Sequence, residues 1–425
     1  MGKKTLYPHQ VQALHQTEGL NRVAYYLDMG LGKTITGIEK MRSLNNNTNL
    51  IICQKSMISM WIDEVEQQLD NVVVYNLTKK KGYDLFFTNN TDVMRVGVIN
   101  YDLVHRRKDL MSLKNFTLLL DESSMIQNDN TKRTRAIMKL NYDNLILLSG
   151  TPVNGAYEKL YSQIRMLGWN ITKTKYWEDY VDYVMLPVGL FSIKKVRGYH
   201  NIGKLKRKLR ELGCVFMKSE DVFILPEQIE TTIKIPNITQ YKTMLKDDYV
   251  KIKGDELIGS TSVTKLLRLR QLCGIYNENK NKALMDLLES TEDRVIIFYN
   301  FTSELNVLLD LVNKKLDRPT CVYNGENKDL RPFYTSDKCI LFAQYQAGAR
   351  GLNLQDANKI IYYTLPLSSE LYEQSKKRTH RLGQERRCFY YNLLVENSVE
   401  NEIYKSLQDK KDYTDELFRQ HYCKE

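Results

Sequence analysis

At 425 residues the chain is long for a single core, and two or three domains are expected. Hydrophobic content of 42% and charged content of 27% describe an ordinary globular protein; there is no apolar run long enough to cross a membrane, and Met1-Gly2-Lys3-Lys4-Thr5-Leu6 lacks the apolar core of a secretion signal, so a cytoplasmic setting is expected. A formal charge of +11 points to a polyanionic partner, while seven scattered cysteines, never spaced Cys-x-x-Cys, imply neither a disulfide framework nor a zinc site.

The first 165 residues alternate short apolar runs with helical patterns, the signature of a parallel sheet covered by helices. Arg22 to Leu27 reads as a buried strand and Thr34 to Met41 as a helix with Ile35, Ile38 and Met41 on one face. Between them lies Asp28-Met29-Gly30-Leu31-Gly32-Lys33-Thr34. A Gly-Lys-Thr turn opening a helix turns backbone N–H groups toward phosphates, supplies a lysine charge, and offers a threonine hydroxyl to magnesium. The match is to the tail of the phosphate-loop pattern, because Leu27 stands where its first glycine would be.

Further strands are expected at Leu50 to Cys53, Val72 to Tyr75, Val96 to Asn100, Thr117 to Leu120 and Asn144 to Ser149. Asp121-Glu122 closes the fourth of these, at the strand end where open α/β sheets place ligands; the pair suits a magnesium ligand and a water-activating base, or simply a loop start. Ser149-Gly150-Thr151-Pro152 brings hydroxyls to the same edge, or is a plain turn. From 166 to 280 the pattern shifts to tyrosines, tryptophans and long charged helices such as Thr239 to Lys253, with no sheet evident. Basic residues crowd at Lys194 to Arg197 and Lys204 to Arg210; the second cluster has helical spacing and reads equally as a solvated face or a DNA contact. Strands resume at Val295 to Tyr299, Thr320 to Tyr323, Cys339 to Phe342, Lys359 to Tyr363 and Phe389 to Leu394. After the glycine-rich loop Gln346 to Leu354 comes Arg378-x-x-Arg381, expected on one helix face, where two guanidiniums could meet a single anion.

Taken together these residues resemble the Swi/Snf-like group of superfamily-two helicases, over almost the whole chain. Leu6 to Gln10 resembles the adenine-reading segment, with Gln10 against the base; Asp28 to Thr34 resembles the phosphate loop; and Ile51 to Ser56 with Trp61 resembles the first strand-tracking motif. Asp121 to Asn128 looks like the magnesium and water-activating box, Ser149 to Asn154 like the coupling motif, and Leu266 to Cys273 like the helix before the second lobe. Arg350 to Leu354 and Gln374 to Gln384 look like the last two motifs, and the ending Arg381-Leu382-Gly383-Gln384 points to this group over other helicases.

The resemblance implies an α/β protein of two RecA-like parallel-sheet lobes, 1–165 and 281–425, with helical protrusions and a linker at 166–280. It implies ATP and magnesium as cofactors and DNA, double-stranded, as partner. Lys33, Asp121, Glu122, Arg378 and Arg381 would be catalytic, with Thr34 and Asp121 holding magnesium. Asp28, Met29, Gly30, Leu31, Gly32, Gly351 and Gln374 would line the nucleotide, and Lys55, Asn100 and Asn300 would meet nucleic acid. One departure stands out: the acid box has Ser124 where the group carries a histidine that relays DNA binding to hydrolysis. With no chromatin-reading module in the sequence, a bare viral or bacterial motor is expected. A strand-separating DNA or RNA helicase, and a non-catalytic nucleotide-dependent scaffold, are the rival readings.

Overall fold

The computed structural model describes residues 3–89, 93–153, 155–188, 191–348 and 352–418. These fall into two compact units, the first reaching Val222 and the second spanning Phe223–Lys411.

In the first unit, strands β1 (Arg22–Leu27), β2 (Thr48–Cys53), β3 (Val72–Asn76), β4 (Met94–Asn100), β5 (Thr117–Asp121) and β6 (Asn144–Leu148) are joined by β9 (Cys214–Met217) in one sheet ordered β3-β4-β2-β5-β6-β1-β9. Every pairing in it is parallel. Its strands are near-continuous apolar runs because helices cover both faces; β2, β5 and β6 are buried at every position. A parallel sheet puts all its carboxyl ends on one edge, and β4, β2, β5, β6 and β1 are consecutive in the order. The loops after these five strands, which carry the motifs, therefore line up side by side.

Helices α1 (Pro8–Gln16), α2 (Lys33–Ser43) and α3 (Ile58–Gln68) precede β3 in the chain. Helix α2 packs by Ile35, Ile38 and Met41, the face its spacing predicts. An antiparallel ribbon, β7 (Val181–Val188) with β8 (Phe191–Tyr199), precedes the helix Ile202–Glu211.

The second unit has its own all-parallel sheet, β10-β17-β16-β13-β15-β14, from β10 (Gln228–Ile235), β13 (Val295–Tyr299), β14 (Thr320–Tyr323), β15 (Ile340–Gln344), β16 (Lys359–Tyr362) and β17 (Cys388–Val395). A small hairpin, β11 (Tyr249–Ile252) with β12 (Asp255–Ile258), stands beside it.

The middle segment differs from its sequence reading, since strands β7 to β12 all lie between residues 181 and 258. Short strands joining a distant sheet leave little local signal: β9 is four residues long, and its partner β1 is about 190 residues away in the chain. The helix expected over Thr239 to Lys253 stops at Asp247. Asp248 takes φ 56, and Lys253 and Gly254 both take positive φ (50 and 90), the two-residue turn that closes a twisted hairpin.

Among the described residues no helix is long and apolar enough to cross a membrane.

Candidate active site

The loop after β1 is bent by Gly30 (φ 85) and Gly32 (φ 72), so helix α2 opens at Lys33 with its N-terminal amides facing the bend. A Cβ on Gly32 would stand 2.1 Å from Nε2 of Gln10. That side chain braces the bend: Oε1 accepts the Tyr7 N–H at 2.8 Å, while Nε2 donates to the carbonyls of Leu31 (3.3 Å) and Gly32 (3.2 Å). Asp28 anchors the other limb, accepting the N–H groups of Met29 (2.8 Å) and Ser219 (3.3 Å), while the Ser219 hydroxyl donates to the Met29 carbonyl. The Lys33 ammonium folds back onto the carbonyls of Leu27 (3.0 Å) and Asp28 (3.3 Å), inside the concavity a phosphate would fill, and half-buried Thr34 follows in the first turn of α2.

Two strands away in the sheet, Asp121 ends β5 with 8% of its surface exposed. Burial pushes its carboxyl up from the ordinary aspartate range; the Trp61 indole N–H, donating to Oδ2 at 2.8 Å, and the Lys33 charge pull the other way. Glu122 sits at φ 54, ψ 60, a left-handed conformation that a residue with a side chain adopts at a cost and that recurs at reacting centres. The Tyr101 hydroxyl fixes this bend by donating to the Asp121 carbonyl at 2.8 Å.

The next residue opens a connection invisible in the sequence. The hydroxyls of Ser123 (2.8 Å) and Tyr26 (3.0 Å) both donate to Oε1 of Gln163, whose Nε2 donates to the Pro152 carbonyl at 2.9 Å. Gln163, Ser123 and Tyr26 are all fully buried. One carboxamide thus ties β1, the acid box and the Gly-Thr-Pro turn together. Ser124 is buried with its hydroxyl unbonded among the described residues, whereas the hydrogen bonds from the acid box to the Gly-Thr-Pro turn pass through Ser123 and Gln163. A glutamine on a short helix carries no periodicity signal, and the same holds for Trp61 as the support of a carboxylate 60 residues away.

In the second unit, the helix Ser369–Lys376 ends before the arginine pair. Arg378 and Arg381 therefore lie on consecutive turns and not, as their spacing suggested, on one helix face. The helix stops because the Arg378 carbonyl accepts from the Leu354 N–H at 3.2 Å, Gly383 takes φ 95, and Gln384 Nε2 gathers the carbonyls of Gln355, Ala357 and Thr379. Arg378 is 6% exposed and donates to the Leu352 carbonyl at 2.9 Å. Arg381 is different: half-buried, with its acidity raised by burial and its guanidinium making no hydrogen bond or ion pair among the described residues, it is a cation held without an anion. Gln374 is 3% exposed and bonds Glu370 at 3.0 Å.

Of the remaining sequence assignments, Gly351 lies outside the described residues. Lys55 is exposed on the turn after β2, and Asn100 is 6% exposed where β4 ends. Asn300, after β13, spends its amide nitrogen on the carbonyls of Thr364 (3.1 Å) and Leu365 (3.0 Å), pinning the ends of β13 and β16 together.

The SNF2-related domain profile matches residues 27–277, and the helicase conserved C-terminal domain profile matches residues 279–383. A Bacillus subtilis protein whose name provisionally makes it an ATP-dependent helicase/translocase is 26% identical over 98% of this chain and 49% of its own length, so the chain spans about half of that relative. An uncharacterised ATP-dependent helicase of the same bacterium is 24% identical over 96% of this chain and 78% of its own length. The mouse SWI/SNF-related matrix-associated actin-dependent regulator of chromatin subfamily A member 1 is 24% identical over 90% and 40%. A solved SWI2/SNF2 ATPase core of Sulfolobus solfataricus in complex with dsDNA covers 98% of this chain and 93% of its own at 19% identity and a TM-score of 0.44. With more than half of its length matched by the first profile, the chain belongs to the SNF2-related family.

Proposed function

We propose that the chain is an ATP-hydrolysing motor that moves along double-stranded DNA in the cytoplasm, with residues 1–165 and 281–425 as the bulk of its two lobes, to which the middle segment adds β9 and β10 respectively. The observation that supports this best is the meeting, on one sheet edge, of a glycine bend holding an inward-turned lysine, a buried aspartate and a strained glutamate. Binding alone needs no general base, which disfavours the scaffold reading.

The bend and the α2 N-terminus take the phosphates, and Lys33 exchanges its carbonyl contacts for phosphate oxygens. Gln10, Asp28, Met29, Leu31, Gly351 and Gln374 complete the nucleotide contacts. Thr34 and Asp121 would hold magnesium, and the site fits it: a divalent cation favours the ionised form that burial disfavours in the Asp121 carboxyl. Magnesium, when bound, neutralises charge on the transferred phosphoryl group. Glu122 orients the attacking water and takes its proton. Arg378 and Arg381 meet the same phosphates, Arg381 gaining the anion it lacks, and so link hydrolysis to movement. Lys55, Asn100 and Asn300 belong to the DNA track, Asn300 through the turn it fixes.

The test is ATP turnover with duplex DNA, single strands, RNA or no nucleic acid. Lys33→Ala and Glu122→Gln abolish turnover; Arg381→Ala abolishes it while ATP still binds. Wild-type turnover in Glu122→Gln removes the base assignment, and turnover indifferent to every nucleic acid removes the translocase. Displacement of a triplex strand from intact duplex, without separation of a fork, distinguishes a translocase from an unwinding helicase.

A further inference from the structure

The ATP chemistry makes no use of the ribbon β7–β8. Both ends of its root are fixed: the Tyr199 hydroxyl donates to Glu158 at 2.7 Å, and the Asn201 amide donates to the Asp179 carbonyl at 2.9 Å. Cross-strand pairing sorts the side chains onto two faces. One face, with Tyr183, Met185 and Lys194, is anchored where the Lys194 ammonium lies 4.2 Å over the Tyr183 ring and 4.8 Å over Trp177 of the helix Lys173–Tyr180. The other carries Val184 opposite Lys195 and Leu186 opposite Ile193. Leu186 and Ile193 are 37% and 53% exposed, and Lys195 is exposed beside them. A register shift at Asp182/Tyr183 leaves Arg197 without a cross-strand partner, so it projects from a bulge. Neither Lys195 nor Arg197 has an ion pair among the described residues. Strand β8 carries three lysines and arginines, Lys194, Lys195 and Arg197, and no acidic residue.

We propose that the β7–β8 ribbon is a second duplex-DNA contact, separate from the strand-end loops, which lies along a groove with Lys195 and Arg197 on the phosphates and Leu186 and Ile193 toward the sugar edges. This rests on the reading that the partner is duplex DNA. A two-stranded ribbon fits the width of a major groove, and a run of cations with no acidic residue among them suits a polyphosphate. A protein partner is the poorer fit, because lysine is depleted where proteins bury surface against one another.

The experiment measures binding of the full-length chain to a fluorescein-labelled duplex by anisotropy, across a series of NaCl concentrations. In Lys195→Ala/Arg197→Ala, the slope of log affinity against log salt becomes shallower by about 2, close to 0.9 for each phosphate no longer neutralised. Leu186→Ser/Ile193→Ser weakens binding with the slope retained, since an apolar contact releases no counterions. Basal ATP turnover without DNA stays at the wild-type level in both variants. A wild-type chain that binds duplex, with the Lys195/Arg197 variant showing the same slope, overturns the ribbon proposal alone and leaves the ribbon to a protein partner. A wild-type chain that binds no duplex takes down the parent reading as well.

Discussion

Replacing Gln163 with leucine keeps the volume of the side chain and removes its three hydrogen bonds, two accepted from Ser123 and Tyr26 and one donated to Pro152. All three partners are buried, so two hydroxyls and one carbonyl would face an apolar side chain. An unsatisfied buried polar group costs about 1–3 kcal/mol. The Ser123 hydroxyl can rotate toward another acceptor, which places the total near the lower end, about 3–4 kcal/mol. In a domain of roughly 200 residues that is a drop in Tm of about 6–16 °C. Tyr26→Phe deletes one of the three bonds and costs about 1 kcal/mol, and the double variant costs less than the sum of the two, because the Tyr26 contribution is already gone once Gln163 is. Thermal and urea unfolding of the four proteins completes the cycle. Loss of less than about 1 kcal/mol in Gln163→Leu, or strict additivity with Tyr26→Phe, would refute the claim that one carboxamide holds these segments together. A functional signature should accompany the instability: kcat falls more than ATP affinity, since the phosphate bend is braced independently by Gln10 and Ser219.

Trp61→Phe removes the donor on Asp121 Oδ2, and magnesium titration of turnover is expected to show a half-maximal concentration raised about tenfold, the effect of losing a hydrogen bond to a charged group; an unchanged titration would show the indole to be mere packing. Gly32→Ala sets a methyl group 2.1 Å from Gln10 Nε2 at a backbone angle that alanine resists, so nucleotide binding measured with a fluorescent ATP analogue should be lost, with a global cost of about 1–2 kcal/mol from the backbone alone. Glu230 concerns acid stability. Burial raises its carboxyl, but the Lys376 charge at 2.7 Å with the Tyr372 and Asn392 hydrogen bonds outweighs burial and holds it at about 2. A depressed carboxyl stabilises the fold above its unfolded pKa, and that stability is lost as pH falls from about 4.5 toward 2; after allowance for partial solvent exposure it is worth about 1–2 kcal/mol. Glu230→Gln should therefore flatten the pH dependence of urea unfolding across that window, and an unaltered profile would contradict the assignment.

Much of this protein can be read from its residues in order. Strand β1, the glycine bend and helix α2 are adjacent in the chain, and local apolar periodicity specifies them with no help from distant partners. The same is true of the runs β5 and β6 that deliver Asp121 and Ser149, because a strand buried on both faces must be apolar throughout. What the order of residues could not give was pairing across long separations. Whether Cys214 to Met217 was strand or loop depended on an open edge beside β1, and whether Arg378 and Arg381 shared a helix depended on a carbonyl captured by Leu354. The supports of the acid pair, Trp61 and Gln163, belong to the same class: a hydrogen bond between groups far apart in the chain follows from the packed sheet, and no local pattern announces it. The chemistry at the strand ends was thus written in contiguous motifs, while the shell that holds it in position was decided only when distant segments were brought together.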